Sequence, residues 1–142
     1  MTSEEGKTVK LKDYRGKPMV LIYYLGSGCK HCIEQLDAFA KIAARYERNG
    51  IPIVAVSRES VADLHKTREN VADEDWFPFT VLSDEAMEHF KAYRAYDDFE
   101  DVALHGTFLI DAEGQVRWQD IGFEPMMHPA FLLEEAQRLL AF

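Results

Sequence analysis

A continuous apolar run that leads into a pair of cysteines is the feature that most constrains the fold of this 142-residue chain. Residues 19–25 contain no charged side chain, and an unbroken run of this length indicates a strand that is buried on both faces of a sheet. The only two cysteines, Cys29 and Cys32, follow where helical spacing of apolar residues begins. The cysteines therefore lie at a predicted junction between a central strand and a helix.

The position of these cysteines predicts a redox-active dithiol rather than a bridge that staples the fold. The free N–H groups and the positive dipole end of a helix N-terminus stabilise a thiolate, which favours Cys29 as the nucleophile. Cys32 lies one helical turn further on, where we expect it to be more buried and to resolve a mixed disulfide. The alternative is a pair of buried structural thiols, which rarely cluster at such a junction.

Short strand-like runs alternate with helical patterns along the rest of the chain, which predicts a three-layer α/β domain. A helix of roughly 18 residues is expected from the dithiol to residues 49–50. A second buried strand at residues 52–57 follows it, so the two strands are expected to be parallel. The other predicted elements are an edge strand at 9–11, a turn at 13–18, a helix at 61–70, a strand at 77–82, a helix that residues 83–84 cap and that runs to 93, a hairpin of 104–110 and 115–121, and a helix at 130–140. Pro129 is expected to open this last helix, with Phe131, Leu132, Leu139 and Leu140 on its core face.

Composition excludes several classes of function. The formal net charge of −9 argues against a nucleic-acid surface, because phosphate binding needs clustered Lys and Arg. No run of residues approaches the length of a membrane span, and the N-terminus lacks the basic and apolar regions of a signal peptide. We therefore expect a single domain over residues 1–142 that stays in the cytoplasm as given.

Four motifs in order give the chain its resemblance to a known family. They are residues 11–21, the Cys-x-x-Cys of residues 29–32, Leu-Ser-Asp at 82–84, and Gly-Thr-Phe-Leu-Ile-Asp-Ala-Glu-Gly at 106–114. Together they resemble the redoxin, or AhpC/TSA, branch of the thioredoxin-like superfamily, which contains alkyl hydroperoxide reductases and thiol-specific antioxidants. The resemblance implies a thioredoxin-like fold, in which a central mixed sheet is flanked by helices, with Cys29 at the start of the first long helix.

Several positions depart from the family pattern. Peroxidatic members carry a proline and a Thr or Ser upstream of the attacking cysteine and an arginine just before the Gly-x-Phe strand. Here those places hold Ile22, Gly26 and His105, which weakens the peroxidase interpretation. Thioredoxin-like reductases place a proline before the same strand, and none precedes Thr107. The leading segment that is usual in the family is missing before Gly6, which favours a domain excised from a longer parent and leaves an exported or membrane-tethered parent open.

The resemblance and the dithiol together predict thiol–disulfide exchange through Cys29 and Cys32, with no cofactor beyond their redox-active disulfide. Lys30 and His31 place positive charge near the Cys29 sulfur, which favours the thiolate and predicts a pair more oxidising than thioredoxin. Gly28 belongs to the same set of residues around the dithiol. His31 has the alternative of a plain exposed helix residue, and the neighbouring Glu34 and Gln35 are most simply explained by solvation and the helix dipole.

Two further functions stay open at this stage. A thiol-dependent peroxidase would use the same nucleophile, with His105 and backbone N–H groups polarising the peroxide. A metal site would use Cys29, Cys32 and His105 as a Cys₂His set for copper or zinc, as copper-delivery proteins of this fold use two helix-start cysteines and a distant histidine. The expected partners are protein or small-molecule thiols, disulfides and peroxides, and the sequence indicates no oligomeric state.

Overall fold

The central strand of the sheet confirms the interpretation of the apolar run. In this computed structural model, which describes residues 1–140, β2 spans Met19–Tyr24 and every one of its residues is buried. Its side chains alternate between the two faces of the sheet, with Val20, Ile22 and Tyr24 in one core cluster and the other three residues in the second. The strand therefore belongs to both hydrophobic cores.

Within residues 1–140 the strands are β1 (Thr2–Ser3), β2 (Met19–Tyr24), β3 (Ile53–Ser57), β4 (Thr80–Ser83), β5 (Tyr96–Asp97), β6 (Val102–Ala103), β7 (His105–Ile110) and β8 (Val116–Gly122). Six of them form the main sheet, in the order β1-β4-β3-β2-β7-β8. Strands β2, β3 and β4 are parallel, and β1, β7 and β8 join the sheet antiparallel to their neighbours, so the sheet is mixed. Two short strands, β5 and β6, form a separate hairpin.

Five α-helices accompany the sheet within residues 1–140. They are α1 (Lys30–Lys41), α2 (Ala43–Arg48), α3 (Val61–Glu69), α4 (Glu88–Ala92) and α5 (Pro129–Leu139). Buried side chains of α1, α2, α3 and α5 lie in one core cluster, and Phe90 of α4 lies in the cluster on the other face. The expected thioredoxin-like architecture, a mixed central sheet flanked by helices, is confirmed. None of these helices combines the length and the apolar character that crossing a membrane requires.

The N-terminal segment differs from its prediction. Residues 9–11 are not a strand, and a 3₁₀ helix spans Leu11–Tyr14. The edge strand is instead Thr2–Ser3, which pairs antiparallel with β4. The prediction followed the apolar Val9 and Leu11, but both side chains pack against the second core cluster from outside the sheet. Alternation of apolar residues over only three positions does not distinguish a strand from a packed loop.

The predicted helices form, with changes in their bounds. The single helix after the dithiol is divided at Ile42 into α1 and α2, and Ser60 caps α3 by accepting the Asp63 N–H at 3.1 Å. Asp84 does not begin a helix directly, but its carboxylate accepts the N–H groups of His89 and Phe90 at the start of α4.

The core face of the last helix was predicted partly wrongly. Its buried residues are Leu132, Leu133 and Ala136, whereas the side chain of Phe131 is 50% exposed. Leu139 and Leu140 pack at the edge of the core, so only one member of the predicted set points away from it. Pro129 opens the helix, as predicted, because a proline is tolerated at the first helical position.

Candidate active site

The two cysteines are joined by a disulfide at the N-terminus of α1, with their Cα atoms 5.2 Å apart. Cys29 is the N-cap residue of this helix, and its sulfur accepts the backbone N–H of Cys32 at 3.3 Å. A loop of residues 25–28 joins β2 to this cap, so the end of the buried central strand sets the position of Cys29. The strand-to-helix junction predicted from the sequence is therefore present.

The environments of the two sulfurs differ. Cys29 is partly exposed, whereas Cys32 has 0% exposure and lies in the core cluster that also contains Ile22 and Tyr24 of β2. The backbone N–H of Leu25 donates to the Cys32 sulfur at 3.4 Å. Because a substrate reaches only the exposed sulfur, this asymmetry matches an attacking Cys29 and a resolving Cys32.

His105 contacts the buried sulfur. Its ring nitrogens Nδ1 and Nε2 lie 3.7 Å and 3.9 Å from the Sγ atom of Cys32, and the side chain is 4% exposed. His105 is the first residue of β7, whose next residue pairs with Tyr23 near the end of β2. Burial lowers the pKa of His105 below its ordinary value, and the nearby His31 lowers it further. The imidazole beside Cys32 is therefore neutral at neutral pH.

The other predicted residues around the dithiol lie at the surface. Lys30 and His31 are exposed in the first turn of α1, and Gly28 is exposed immediately before the cap. His31 Nδ1 lies 3.3 Å from Glu34 Oε2, one helical turn further along α1. A carboxylate therefore offsets the charge that a protonated His31 would bring to the dithiol, whereas the sequence interpretation of Glu34 was solvation and the helix dipole.

Gly26 has a structural reason for lacking a side chain. Its φ of +141° lies in a region that residues with a Cβ rarely adopt, and a Cβ there would come within 3.1 Å of the Glu59 side chain. The hydroxyl residue that peroxidatic family members carry at this place would be strained here. Ile22, at the place of the family proline, is a fully buried residue of β2.

Sequence reasoning missed two residues that surround the site. Gln35 is completely buried, contrary to its interpretation as a solvated residue, and its Nε2 donates to Thr107 Oγ1 at 2.9 Å. Its spacing of three residues from Cys32 places both on one face of α1, which is the available clue. Glu59 accepts the backbone N–H of Ser27 at 3.0 Å and holds the loop before Cys29. No local pattern indicates this contact, because it joins the ends of two parallel strands.

The structure also brings together the predicted Cys₂His set. The Sγ atoms of Cys29 and Cys32 and a ring nitrogen of His105 lie within 4.8 Å of one another. Two thiolates and an imidazole are ligands that zinc and cuprous copper accept. Both sulfurs are bonded to each other in this disulfide form, so they are available as ligands only after reduction.

A mixed sheet flanked by helices, with a dithiol at the N-terminus of its first long helix, defines a thioredoxin-like protein. Residues 1–119 match the AhpC/TSA family, and the chain belongs to that family. The resemblance seen in the sequence motifs is thereby confirmed.

Curated relatives carry two kinds of name. The chain is 30% identical to the chloroplastic peroxiredoxin Q of Triticum aestivum over 141 residues, which are 98% of this chain and 63% of that protein. It is 28% identical to the thiol-disulfide oxidoreductase ResA of Bacillus thuringiensis subsp. konkukian over 116 residues, which are 82% of this chain and 61% of that protein. The chain thus spans less than two thirds of the length of either relative.

Solved structures support the fold. A peroxiredoxin Q of Xanthomonas campestris superimposes with a TM-score of 0.79 at 24% identity, covering 99% of this chain and 90% of that one. AhpC of Enterococcus faecalis superimposes with a TM-score of 0.82 at 17% identity, covering 99% of this chain and 86% of that one. At these identities the likeness is one of fold.

The neutral, buried state of His105 predicts that the stability of the oxidised protein depends on pH. The folded-state pKa lies below the value of about 6.5 for an unfolded chain. Above that value both states hold a neutral ring, and as pH falls below it the unfolded chain takes up a proton that the folded protein resists. The free energy of unfolding, measured by urea denaturation between about pH 8 and pH 5, is expected to fall on acidification.

A His105→Gln variant is expected to lose part of this pH dependence, because it removes the imidazole from the buried position. His128→Gln removes an imidazole that is exposed in the fold and serves as the matched control. Identical pH profiles for the wild type and His105→Gln would contradict the argument.

Proposed function

We propose that the chain is a thiol–disulfide oxidoreductase in which Cys29 attacks and Cys32 resolves. The observation that carries the proposal is the asymmetric disulfide at the N-terminus of α1, with one sulfur accessible and the other buried against His105. Residues 1–142 act in this proposal as one redoxin domain, with no cofactor beyond the disulfide. The relatives named peroxiredoxin Q and ResA support a thiol-based redox function.

The first step takes place at Cys29. Its thiolate attacks one sulfur of a substrate disulfide, the substrate S–S bond breaks, and one substrate thiolate leaves and takes a proton from water. The product is a mixed disulfide between Cys29 and the substrate. The first N–H groups of α1 and the donor at Cys32 N favour the attacking thiolate.

The second step uses Cys32 and His105. The neutral imidazole of His105 accepts the proton of the Cys32 thiol, and the new thiolate attacks Cys29 Sγ. The Cys29–Cys32 disulfide forms, and the second substrate thiolate leaves and takes the proton that His105 holds. The substrate disulfide has then gained two electrons and become two thiols, while the dithiol has been oxidised. The reverse sequence oxidises a substrate dithiol, and the redox poise of the compartment sets the direction.

A hydroperoxide is a second candidate oxidant, favoured by the relatives that are named peroxiredoxins. Attack of the Cys29 thiolate on the terminal peroxide oxygen would form an S–O bond and break the O–O bond, giving a sulfenic acid and a leaving oxygen that takes a proton from water to become an alcohol or water. Cys32 would then displace water to form the disulfide. Gly26 carries no hydroxyl to polarise the peroxide, and the neutral ring of His105 is hydrogen-bonded to Cys32 Sγ. We therefore expect the reaction with a peroxide to be slower than disulfide exchange.

Cysteine variants test the assignment of roles. With dithiothreitol as the reductant, the wild type is expected to catalyse insulin reduction and Cys29→Ser is expected to lose this activity. Cys32→Ser keeps the nucleophile but cannot release the substrate, so intact-mass measurement should show a mixed disulfide at Cys29. Equal activity of the wild type and Cys29→Ser, or trapping at Cys32 instead, would overturn the mechanism.

A comparison of the rates at which a disulfide and hydrogen peroxide oxidise the reduced protein separates the two candidate oxidants. The loss of free thiols is followed at equal concentrations of a disulfide and of hydrogen peroxide. Faster oxidation by the disulfide is expected. Faster oxidation by the peroxide would establish the peroxidase as the main function.

The reduction potential of the dithiol tests the tuning by Lys30 and His31. We expect a potential less negative than the value of roughly −270 mV for thioredoxin, because positive charge beside Cys29 stabilises the reduced form. Glu34→Gln removes the carboxylate beside His31 and should make the pair more oxidising, whereas His31→Ala should make it more reducing. Glu47→Gln, an exposed carboxylate on α2, is the matched control.

Equilibration of each variant with a glutathione buffer gives these potentials. A wild-type potential at or below that of thioredoxin would contradict the oxidising poise. Shifts of the same sign in Glu34→Gln and His31→Ala would contradict the role of the pair.

The convergence of Cys29, Cys32 and His105 favours metal binding by the reduced protein as a second candidate function. The reduced wild type is expected to bind about one Zn²⁺ or Cu⁺ per chain through three protein ligands, which leaves one position open for an exogenous ligand. Elemental analysis and competition with a chromophoric chelator measure the stoichiometry and affinity. His105→Ala should weaken binding about tenfold or more, and His128→Ala should not; equal affinity in all three proteins would exclude the site.

A further inference from the structure

A groove beside Cys29 contains a positively charged side chain, Arg58, that the proposed exchange reaction does not use. Leu25, Gly26, Gly28 and Cys29 line it on one side, and Arg58 and Glu59 line it on the other. Arg58 and Glu59 follow directly after β3, which is parallel to β2, so the ends of the two strands open at the same edge of the sheet. Ligands of α/β proteins commonly bind at such an edge.

The arginine is held beside the dithiol through the backbone of one residue. Arg58 Nε donates to the Leu25 carbonyl oxygen at 2.9 Å, and the N–H of the same Leu25 donates to Cys32 Sγ at 3.4 Å. This hydrogen bond uses one of the five guanidinium N–H groups. Within residues 1–140, Arg58 forms no other side-chain hydrogen bond and no ion pair, so its four remaining N–H groups are available to a ligand.

The neighbouring carboxylate does not neutralise this cation. Glu59 accepts the Ser27 N–H at 3.0 Å, the Ser27 hydroxyl at 2.8 Å and the Ser57 hydroxyl at 3.1 Å. These three donors hold the carboxylate against the loop before Cys29, and no ion pair joins it to Arg58. Glu59 therefore fixes the wall of the groove, while Arg58 remains free to bind.

The shape of the loop keeps the groove open. Gly26 lies where a Cβ would press on Glu59, and a Cβ at Gly28 would meet no atom within 4 Å. Gly28 is exposed, so the backbone immediately before Cys29 is open and a substrate can approach Cys29 and Arg58 together. Lys30, the next residue after Cys29, is exposed and adds a second positive charge beside that of Arg58.

We propose that Arg58 determines specificity by binding a carboxylate of the substrate while Cys29 attacks the adjacent disulfide. The inference rests on the proposed thiol–disulfide exchange and names its substrate class: disulfides with a carboxylate a few bonds from the reacting sulfur. The planar guanidinium is suited to this role, because it donates two parallel N–H groups to one carboxylate. Arg58 touches the substrate in this proposal but takes no part in electron transfer.

Three disulfides that differ only in their end group test the proposal. Dithiodipropionate is anionic, hydroxyethyl disulfide is neutral and cystamine is cationic, and all three have the same two-carbon spacing from sulfur. The reduced protein is mixed with each one, and the second-order rate of loss of its thiols is measured by quenched mass spectrometry. Each rate is divided by the rate of dithiothreitol with the same disulfide, because the leaving thiols differ in pKa. On this scale we expect the wild type to react fastest with the anionic disulfide and slowest with the cationic one.

Arg58→Gln should lower the rate with dithiodipropionate about tenfold, since a charge-assisted hydrogen bond is lost. It should leave the rate with hydroxyethyl disulfide nearly unchanged and raise the rate with cystamine. Arg58→Lys keeps the positive charge but loses the two parallel N–H donors of the guanidinium. Its rate with dithiodipropionate should lie between those of the wild type and Arg58→Gln. Arg48→Gln removes an exposed arginine of α2 outside the groove and is the matched control for net charge.

Each other outcome decides against the proposal in a distinct way. An equal loss of rate with all three disulfides would show that Arg58 only positions the loop through Leu25. No change with any of them, or the same change in Arg48→Gln, would show that Arg58 does not contact the substrate. A wild type that reacts with none of the three would overturn the proposed function itself, which the neutral disulfide tests independently of charge.

Discussion

The burial of strand β2 on both faces is the constraint on which the rest of the structure depends. The strand is hydrogen-bonded to β3 on one side and to β7 on the other, and its side chains enter both hydrophobic cores. Its end therefore has little freedom, and the loop that follows delivers Cys29 to the start of α1. The adjoining ends of β3 and β7 supply Arg58 and His105 at the same edge of the sheet.

The dithiol draws its asymmetry from this arrangement. Cys29 caps the helix at the surface, whereas Cys32 points from the first turn of α1 into the core, where it meets His105 and the Leu25 N–H. The charged groups follow the same asymmetry. The imidazole of His105 beside the buried Cys32 is neutral, whereas His31 near the exposed Cys29 is paired with Glu34. One helical turn thus separates the group that meets the substrate from the group that completes the exchange.

Much of the fold was predictable because long apolar patterns outweigh local ambiguity. The strands at residues 19–25 and 52–57 and the hairpin around residues 111–114 form close to their predicted bounds, and the helical segment after the dithiol does so as two helices divided at Ile42. Short patterns failed: residues 9–11 are packed loop and 3₁₀ helix, and Phe131 faces outward although it belongs to an apolar run. Gln35 was also misplaced, since a polar residue on the buried face of a helix is explained only by its partner Thr107.

The sequence by itself determined the dithiol, its position at a strand-to-helix junction, and the family to which the chain belongs, because these depend on local spacing and on motifs in order along the chain. Only the tertiary structure decided which groups surround the sulfurs. His105 was a candidate in the sequence, but its contact with Cys32 spans 73 residues, and the contact of Arg58 with Leu25 spans 33. Such contacts arise from the pairing of strands in the sheet, which brings distant segments to one edge and leaves no trace in local sequence.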